Sequence, residues 1–293
     1  MTDLIKKQYP VARLHKFLQS APQFRPIRRG ARRKGIERKY YSNDGKQSLV
    51  MRLFYELDIA DQDLLLCLIA ISAVDHKSTL IGIAPKNPIN IDLRAKLELK
   101  GDNVTEMQAI GAHATAYEIL NELGKKHGKS GYDWLEASLN RLSSVSFTFK
   151  TERSIDSFHL MSWSASLDEK GRMKDINFSV NPYSARAVLG ESGGYVLLHR
   201  DERAILKSEE SRGLHAVLCG LCDMGKDRTL SLDVLSDKVY SRYDEQVSAD
   251  AMNKRRKKIA IALNEINELD YWDCLTSGRG KQMWVNIKRK RYK

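Results

Sequence analysis

The chain has 293 residues, which is long enough for two domains of ordinary size, and it carries a formal net charge of +12. The positive charge is concentrated in residues 25–39, 254–258 and 279–293, while the rest of the chain is net acidic. Such clusters indicate a polyanionic partner, and they favour nucleic acid over a membrane because they lack an aromatic and leucine-rich apolar face. No apolar run reaches the roughly 18 residues of a membrane span and no signal peptide is apparent, so we expect a soluble, cytoplasmic protein.

The first half of the sequence predicts a basic N-terminal arm over residues 1–40 and a domain over residues 41–182. The arm runs into Asn43-Asp44-Gly45, a turn signal between β-prone flanks that indicates a hairpin. Helical patterns cover 60–74, 106–127 (as one or two helices) and 132–142. Strand patterns cover 79–83, 144–151, 157–166 and 173–180, and 85–101 is irregular with one strand. Helices followed by strands are the order of a winged-helix domain.

The second half repeats this order after a connector over residues 183–194. A strand over 195–199 precedes a helix over 208–223 that begins at a serine cap. The remaining patterns are a strand over 229–231, helices over 232–240 and 248–269, and a two-stranded wing over 271–275 and 283–287. The expected fold class is therefore α+β, with two tandem winged-helix domains over 41–182 and 195–293, the second ending in a basic C-terminal tail.

The helix predicted near residue 250 carries the most information about function. On a helical wheel, Met252, Ile259, Leu263 and Ile266 form an apolar sector that can pack on a core. The helix opens with five consecutive cations, residues 254–258, at the end where the helix dipole disfavours positive charge. Phosphate groups would offset that cost, so the segment predicts a recognition helix in a major groove. The alternative is a solvated basic helix.

The candidate DNA contacts fall into two classes. Asn253, Lys254 and Lys257 are expected to reach base edges, because amides suit adenine and lysines suit guanine. Ile261 is expected to meet a thymine methyl group or, equally, another part of the protein. The remaining contacts are expected to be with phosphates or the minor groove, from Arg255, Arg256 and Lys258 on the helix, Arg279 and Lys281 on the wing, Arg141 and Lys150 in the first domain, and Arg28, Arg29, Arg32, Arg33 and Lys34 in the arm. The first domain is expected to bind more weakly or to serve dimer contacts, and a solvated tail is the alternative for the arm.

The sequence predicts no catalytic site. Residues 124–130 approach a phosphate-binding loop, but the spacer is one residue short and a helix precedes it. The histidines are scattered, and Cys219 and Cys222 lie in an apolar periodic run that favours buried helix thiols over a redox or metal site. We therefore expect a protein that is not an enzyme and that needs neither a cofactor nor a metal ion.

An ordered series of segments resembles the replication initiator proteins C of IncQ-type broad-host-range plasmids. The series extends from Phe24 to Asp273, and its order is specific although no single motif is diagnostic. It comprises Phe24-Arg25, Arg28-Arg29-Gly30, Arg32, Asp44-Gly45-Lys46, Ile59-Ala60-Asp61-Gln62-Asp63-Leu64, Asn181-Pro182, Ala187-Val188-Leu189-Gly190, Leu214-His215, Leu218-Cys219-Gly220 and Met252-Asn253-Lys254-Arg255-Arg256. Residues 85–101 and the more basic tail over 288–293 depart from the family pattern.

The resemblance implies an initiator that binds directly repeated origin sequences (iterons) in double-stranded DNA. Such proteins promote opening of an AT-rich region and recruit a plasmid or host helicase and primase. The sequence leaves open the iteron sequence, the helicase partner, the role of residues 85–101, and a homodimer that represses its own promoter. The alternative function is a winged-helix transcriptional repressor on a palindromic operator. A charge-driven RNA-binding protein is a third class, for which the sequence reveals no aromatic stacking platform.

Overall fold

The computed structural model describes residues 7–20, 23–27, 30–41, 45–191, 194–240, 247–278 and 283–291. The elements of the first half are β1 (Val11–His15), α1 (Lys16–Ser20), β2 (Lys34–Tyr41), β3 (Ser48–Tyr55), α2 (Ile59–Ser72), β4 (Ser78–Ile81), α3 (Pro88–Lys96), α4 (Asp102–Thr105), β5 (Ala109–Thr115), α5 (Ala116–Glu122), α6 (Lys129–Ser143), β6 (Ser146–Lys150), β7 (Ile155–His159), β8 (Met161–Leu167) and β9 (Met173–Val180). Those of the second half are α7 (Pro182–Leu189), β10 (Tyr195–His199), α8 (Arg200–Ile205), α9 (Glu209–Leu221), β11 (Lys226–Ser231), α10 (Leu232–Tyr240), α11 (Ala249–Asn267), β12 (Trp272–Ser277) and β13 (Trp284–Arg289).

One arrangement of elements occurs twice. In the first unit, β5, α5 and α6 are followed by the hairpin of β8 and β9, and these strands lie in the order β5-β9-β8. In the second unit, β11, α10 and α11 are followed by the hairpin of β12 and β13, in the order β11-β13-β12. The first unit adds β4 beside β5, and it inserts β6 and β7, which extend the β2–β3 hairpin into a separate four-stranded sheet. Helices α6 and α11 therefore hold equivalent places.

Helix α2 forms the centre of the first unit. Its cap, Asp58, accepts a hydrogen bond from the backbone of Asp61 at 2.8 Å, and the Asp61 carboxylate accepts one from the backbone of Asp58 at 3.1 Å. This reciprocal capping satisfies free donors at the helix start. The helix that follows is buried on nearly every side, which its unbroken apolar run requires. No helix in the described ranges is both long and apolar enough to cross a membrane.

Three segments differ from the sequence-based expectations. The segment 85–101 contains helix α3, whose start is set by the Asn87 cap and by Pro88 in the first turn. Residues 109–115 form the buried strand β5 between β4 and β9, where their small side chains allow close packing, so pairing overrides the helix propensity of alanine. The segment expected to be a connector holds α7, which Asn181 caps and Gly190 ends in the left-handed conformation.

Among the described basic residues expected in an N-terminal arm, Arg25, Arg32 and Arg33 lie against the folded body. Strand β1 pairs with β10 of the second half, and β2 pairs with β3. Between these strands, Arg25 and Arg33 contact the buried carboxylate of Glu56 at 2.6 Å and 2.7 Å. Burial alone would raise the pKa of Glu56, but the two guanidinium groups lower it. Some arginines of the basic segment 25–39 therefore neutralise an acid of the first unit. The sequence pattern alone could not indicate this pairing.

Buried and partly buried ion pairs connect the two units. Arg200 at the start of α8 contacts Glu122 of α5 at 3.0 Å, and both side chains are almost fully buried. Asp63 of α2 binds two arginines of the second half, Arg203 at 2.6 Å and Arg212 at 2.8 Å. Breaking any of these pairs would leave a charge in a poorly solvated place. These pairs therefore join the units through α2 and α5 on one side and α8 and α9 on the other.

Candidate nucleic-acid interface

Helix α11 packs through one face and leaves the other open. Ser248 caps it by accepting a hydrogen bond from the backbone of Ala251 at 3.2 Å. Met252, Ile259, Leu263 and Ile266 are buried against the second unit, as the helical wheel predicts. The helix packs against α9, α10 and β12. The buried face therefore fixes the helix on the second unit.

The open face of α11 carries the side chains predicted to reach bases. Asn253, Lys254, Lys257 and Ile261 are all exposed, and Ile261 keeps 59% of its surface accessible. Lys254 contacts Asp250 at 2.8 Å, but both side chains lie in solvent, where such a pair is weak. An exposed isoleucine amid donors and cations is available to an apolar group on a partner. Among the described residues, α11 thus presents one exposed face that combines an amide, two amino groups and an apolar side chain.

The other three cations of α11 are anchored to the protein. Arg256 contacts Asp233 of α10 at 2.5 Å, Lys258 contacts Glu210 of α9 at 2.6 Å, and the Arg255 guanidinium lies 4.8 Å from the centre of the Tyr240 ring. Burial alone would raise the pKa of Glu210, but its hydrogen bonds to Lys258 and Tyr240 lower it.

Asp233 and Glu210 therefore hold the helix against α10 and α9. Sequence reasoning missed both acids because each lies more than 20 residues from its cation in the chain. The phosphate contacts predicted for Arg255, Arg256 and Lys258 stay predictions.

Strands β12 and β13 extend as a hairpin beside α11. Their outward row includes Leu275 opposite Asn286, with Trp284 nearer the tip, and both apolar side chains are at least half exposed. The tip, residues 279–282, lies outside the described residues, and with it lie the predicted phosphate contacts of Arg279 and Lys281.

Helix α6, the counterpart of α11, presents a different surface. Its exposed residues include Asp133 and Glu136, so the middle of its outer face is acidic. The phosphate or minor-groove contact predicted for Arg141 requires an outward side chain, and the structure contradicts this. Its guanidinium is mostly buried and contacts the Asp61 carboxylate at 2.7 Å, while the Ser138 hydroxyl donates to the same carboxylate at 2.6 Å. A fully buried carboxylate needs such a partner, and this explains the orientation.

The described residues of the predicted arm differ in whether they pair with acids of the protein. Arg32 contacts Asp58 at 2.5 Å and Asp61 at 2.9 Å, so it stabilises the start of α2 instead of extending from the body. Arg33 is paired with Glu56, and Arg28 and Arg29 lie outside the described residues. Lys34 and Lys150 are exposed, and both lie on the sheet formed by β2, β3, β6 and β7.

Cys219 and His215 are buried side by side in the second unit. Cys219 and Cys222 are buried, as predicted, and His215 is fully buried with its Nε2 atom 2.8 Å from Glu202. Burial alone would lower the pKa of His215, but Cys219 and Glu202 raise it to about 9. In the ranges that the structure describes, no group of three or more His, Cys, Asp or Glu residues is arranged to hold a metal ion.

Comparisons with known proteins cover nearly the whole chain. Domains 2 and 3 of RctB, as a selenomethionine derivative, match with a TM-score of 0.57 and 11% identity over 92% of this chain and 95% of that chain. A second structure of RctB domains 2–3, residues 155–483, gives 0.53 and 12% over 94% and 97%. The Pi initiator protein in complex with iteron DNA gives 0.55 and 10% over 98% and 100%. At these identities the structures show a shared fold.

Sequence comparison gives the family. No curated protein sequence matches the chain. A family model described as Replication protein C (RepC) matches residues 12–282, which include both units and the open face of α11. The chain belongs to the Replication protein C (RepC) family.

Proposed function

We propose that this chain initiates plasmid replication by binding directly repeated origin sequences, with α11 in the major groove of each repeat. The observation that carries the proposal is the open face of α11, where Asn253 and Lys257 are exposed on a helix held by Asp233 and Glu210. A rigid helix with exposed amide and amino groups meets the requirement for reading base edges. Family membership and the shared fold with an initiator bound to iteron DNA support it.

We further propose that both units are winged-helix domains and that they contribute unequally. The repeated order of strand, two helices and hairpin supports two such domains. In the second unit the open helical face is cationic, whereas the α6 face carries Asp133 and Glu136, which would repel phosphates. The second unit would then supply most of the affinity and specificity, and the first unit would add weaker contacts.

In this proposal the protein acts by binding and not by catalysis. Contacts with several repeats would supply the free energy that helps to open an adjacent AT-rich region, and the assembled complex would recruit a helicase and primase. No cofactor or metal ion is assigned a role. Whether the chain also forms a homodimer bears on the alternative function, because a repressor would bind a palindrome as a stable dimer.

The test is binding to a direct-repeat origin from the same replicon, to a palindromic operator and to random duplex DNA, across a salt series. The proposal predicts a preference of at least about 10³-fold for the direct repeats at physiological salt. Permanganate reactivity of thymines beside the repeats should then appear when the protein is added. Preference for the palindrome without reactive thymines would replace the initiator with a repressor, and equal binding to all three would reject sequence-specific recognition.

A further inference from the structure

The first unit contains a sheet that has no counterpart in the second. Strands β2, β3, β6 and β7 form it, and one of its faces packs on the core through Leu49, Met51, Phe147 and Phe158. The opposite face, termed here the open sheet face, alternates with these buried residues along the strands. Within the described ranges, no helix covers the large side chains of this face, and their exposure therefore requires an explanation.

Three large side chains stand exposed on the open sheet face. Tyr41 of β2 is 69% accessible, Phe54 of β3 is 61% accessible and Ile155 of β7 is 57% accessible. Tyr41 begins a row that crosses the sheet through Ser48 and Lys150 to Ile155. Exposed aromatic rings offer large flat apolar surfaces on which a partner can stack.

The charges around these rings are predominantly positive. Arg52 and Lys39 lie between Tyr41 and Phe54, and both contact Glu37, at 2.9 Å and 3.6 Å. Among the described residues of the face and its adjoining turns, five cations lie near two carboxylates, the residues being Lys39, Lys46, Arg52, Lys150 and Arg153 against Glu37 and Glu152. The open sheet face therefore attracts a polyanion.

The spacing of the rings fits an extended strand of nucleotides. Ser48, which pairs with Tyr41, lies six residues before Phe54 on β3, a separation of about 20 Å along the strand. The two cations fall between the rings, where a sugar-phosphate backbone would pass. Stacking on a ring requires an unpaired base, so this arrangement suits a single strand and not a duplex.

A second copy of the chain is a poorer occupant of this face. Two-fold contact between identical faces would bring the same five cations close to one another, and the two carboxylates would not neutralise them. A nucleic-acid backbone supplies the opposite charge along its whole length. Charge complementarity therefore favours a nucleic acid over a second copy of the chain.

We propose that the open sheet face is a second nucleic-acid site, which binds single-stranded DNA by stacking bases on Tyr41 and Phe54 while Lys39, Arg52 and Lys150 contact phosphates. The site is separate from the face of α11 and does not depend on the duplex-binding role proposed for that helix. The sequence alone indicates no stacking platform, because Tyr41 and Phe54 lie on different strands and only the pairing of these strands brings the two rings to one surface.

The test uses the full chain and a fluorescently labelled oligothymidylate of about 15 nucleotides, with affinity measured by anisotropy. The double variant Tyr41→Ala/Phe54→Ala should bind the oligonucleotide roughly tenfold more weakly or worse. Lys150→Ala should lower the slope of log affinity against log salt by about 0.7. Tyr117→Ala is the matched control, because Tyr117 is an exposed aromatic residue, 58% accessible, on α5 and outside this face.

Each outcome bears on the proposal. If the double variant binds oligothymidylate more weakly but binds duplex DNA as the unmodified chain does, the proposal is supported. This result does not depend on whether the chain recognises origin repeats. Unchanged oligothymidylate binding by the double variant, with a native circular dichroism spectrum, would overturn it. Loss of a dimer in light scattering, without loss of oligonucleotide binding, would identify the face as a contact between copies. Binding of oligouridylate in place of oligothymidylate would reassign the site to RNA.

Discussion

Arg256 on α11 donates hydrogen bonds to both carboxylate oxygens of Asp233 on α10, at 2.5 Å and 2.8 Å. A two-point contact of this kind fixes orientation as well as distance. The same guanidinium donates to the Oδ1 atom of Asn253 at 2.8 Å. A chain of contacts therefore leads from a support helix to a side chain on the open face of α11, and Asn253 is held with its amino group available to donate.

Replacing Asp233 should reduce sequence discrimination although the residue does not lie on the open face. In Asp233→Asn the charge-assisted pair with Arg256 is lost, which is worth about 1.5–3 kcal/mol. We expect affinity for origin repeats, measured by anisotropy, to fall about tenfold, while affinity for random duplex DNA stays the same or rises. Asp227→Asn, an exposed carboxylate on β11, is the control for charge alone. Equal strengthening of binding to both DNAs would show that Asp233 acts only through its charge.

Lys257 should contribute to specificity and not merely to charge. Lys257→Ala removes an exposed amino group from the open face of α11, and loss of one base contact costs about 1–3 kcal/mol. The expected result is a larger loss of affinity for origin repeats than for random DNA in parallel titrations. Lys86→Ala, an exposed lysine in the first unit, should affect neither. An equal loss for both DNAs would reassign Lys257 to phosphate binding.

Arg141 should be required for stability. Arg141→Ala leaves the fully buried Asp61 carboxylate with fewer partners, and breaking a buried ion pair typically costs about 3–5 kcal/mol. Urea unfolding should show this decrease, whereas Lys150→Ala, on the exposed end of β6, should change the free energy of unfolding by less than about 0.5 kcal/mol. If the folded Arg141→Ala protein kept its stability but lost duplex affinity, the original prediction of a DNA contact would be restored.

The predictable part of the structure is the part set by local sequence. The faces of α11 follow from a period of 3.6 residues, and the helix starts at Ile59 and Ala249 follow from capping by Asp58 and Ser248. Strands β8 and β9 likewise lie on either side of a short turn. In each case the deciding interactions join residues that are close in the chain.

The unpredicted part depends on partners that are remote in sequence. Arg141 lies 80 residues from Asp61, so nothing in its neighbourhood indicates that the charge is used internally. Strand β5 contains three alanines, whose helix propensity was overridden by two neighbouring strands. A count of basic residues therefore overestimates the DNA-binding surface wherever a buried acid lies opposite in the fold.

The buried pair of His215 and Glu202 should make stability depend on pH. Because the pKa of His215 is raised to about 9 in the folded chain, above an unfolded value of about 6.5, its contribution is complete below pH 6.5 and is lost as the pH rises through about 9. The free energy of unfolding should therefore fall between these pH values. Glu202→Gln, which removes the carboxylate 2.8 Å from Nε2, should flatten this fall when urea unfolding is repeated at each pH. An identical pH profile in the two proteins would show that the imidazole is neutral in the fold and that other groups titrate.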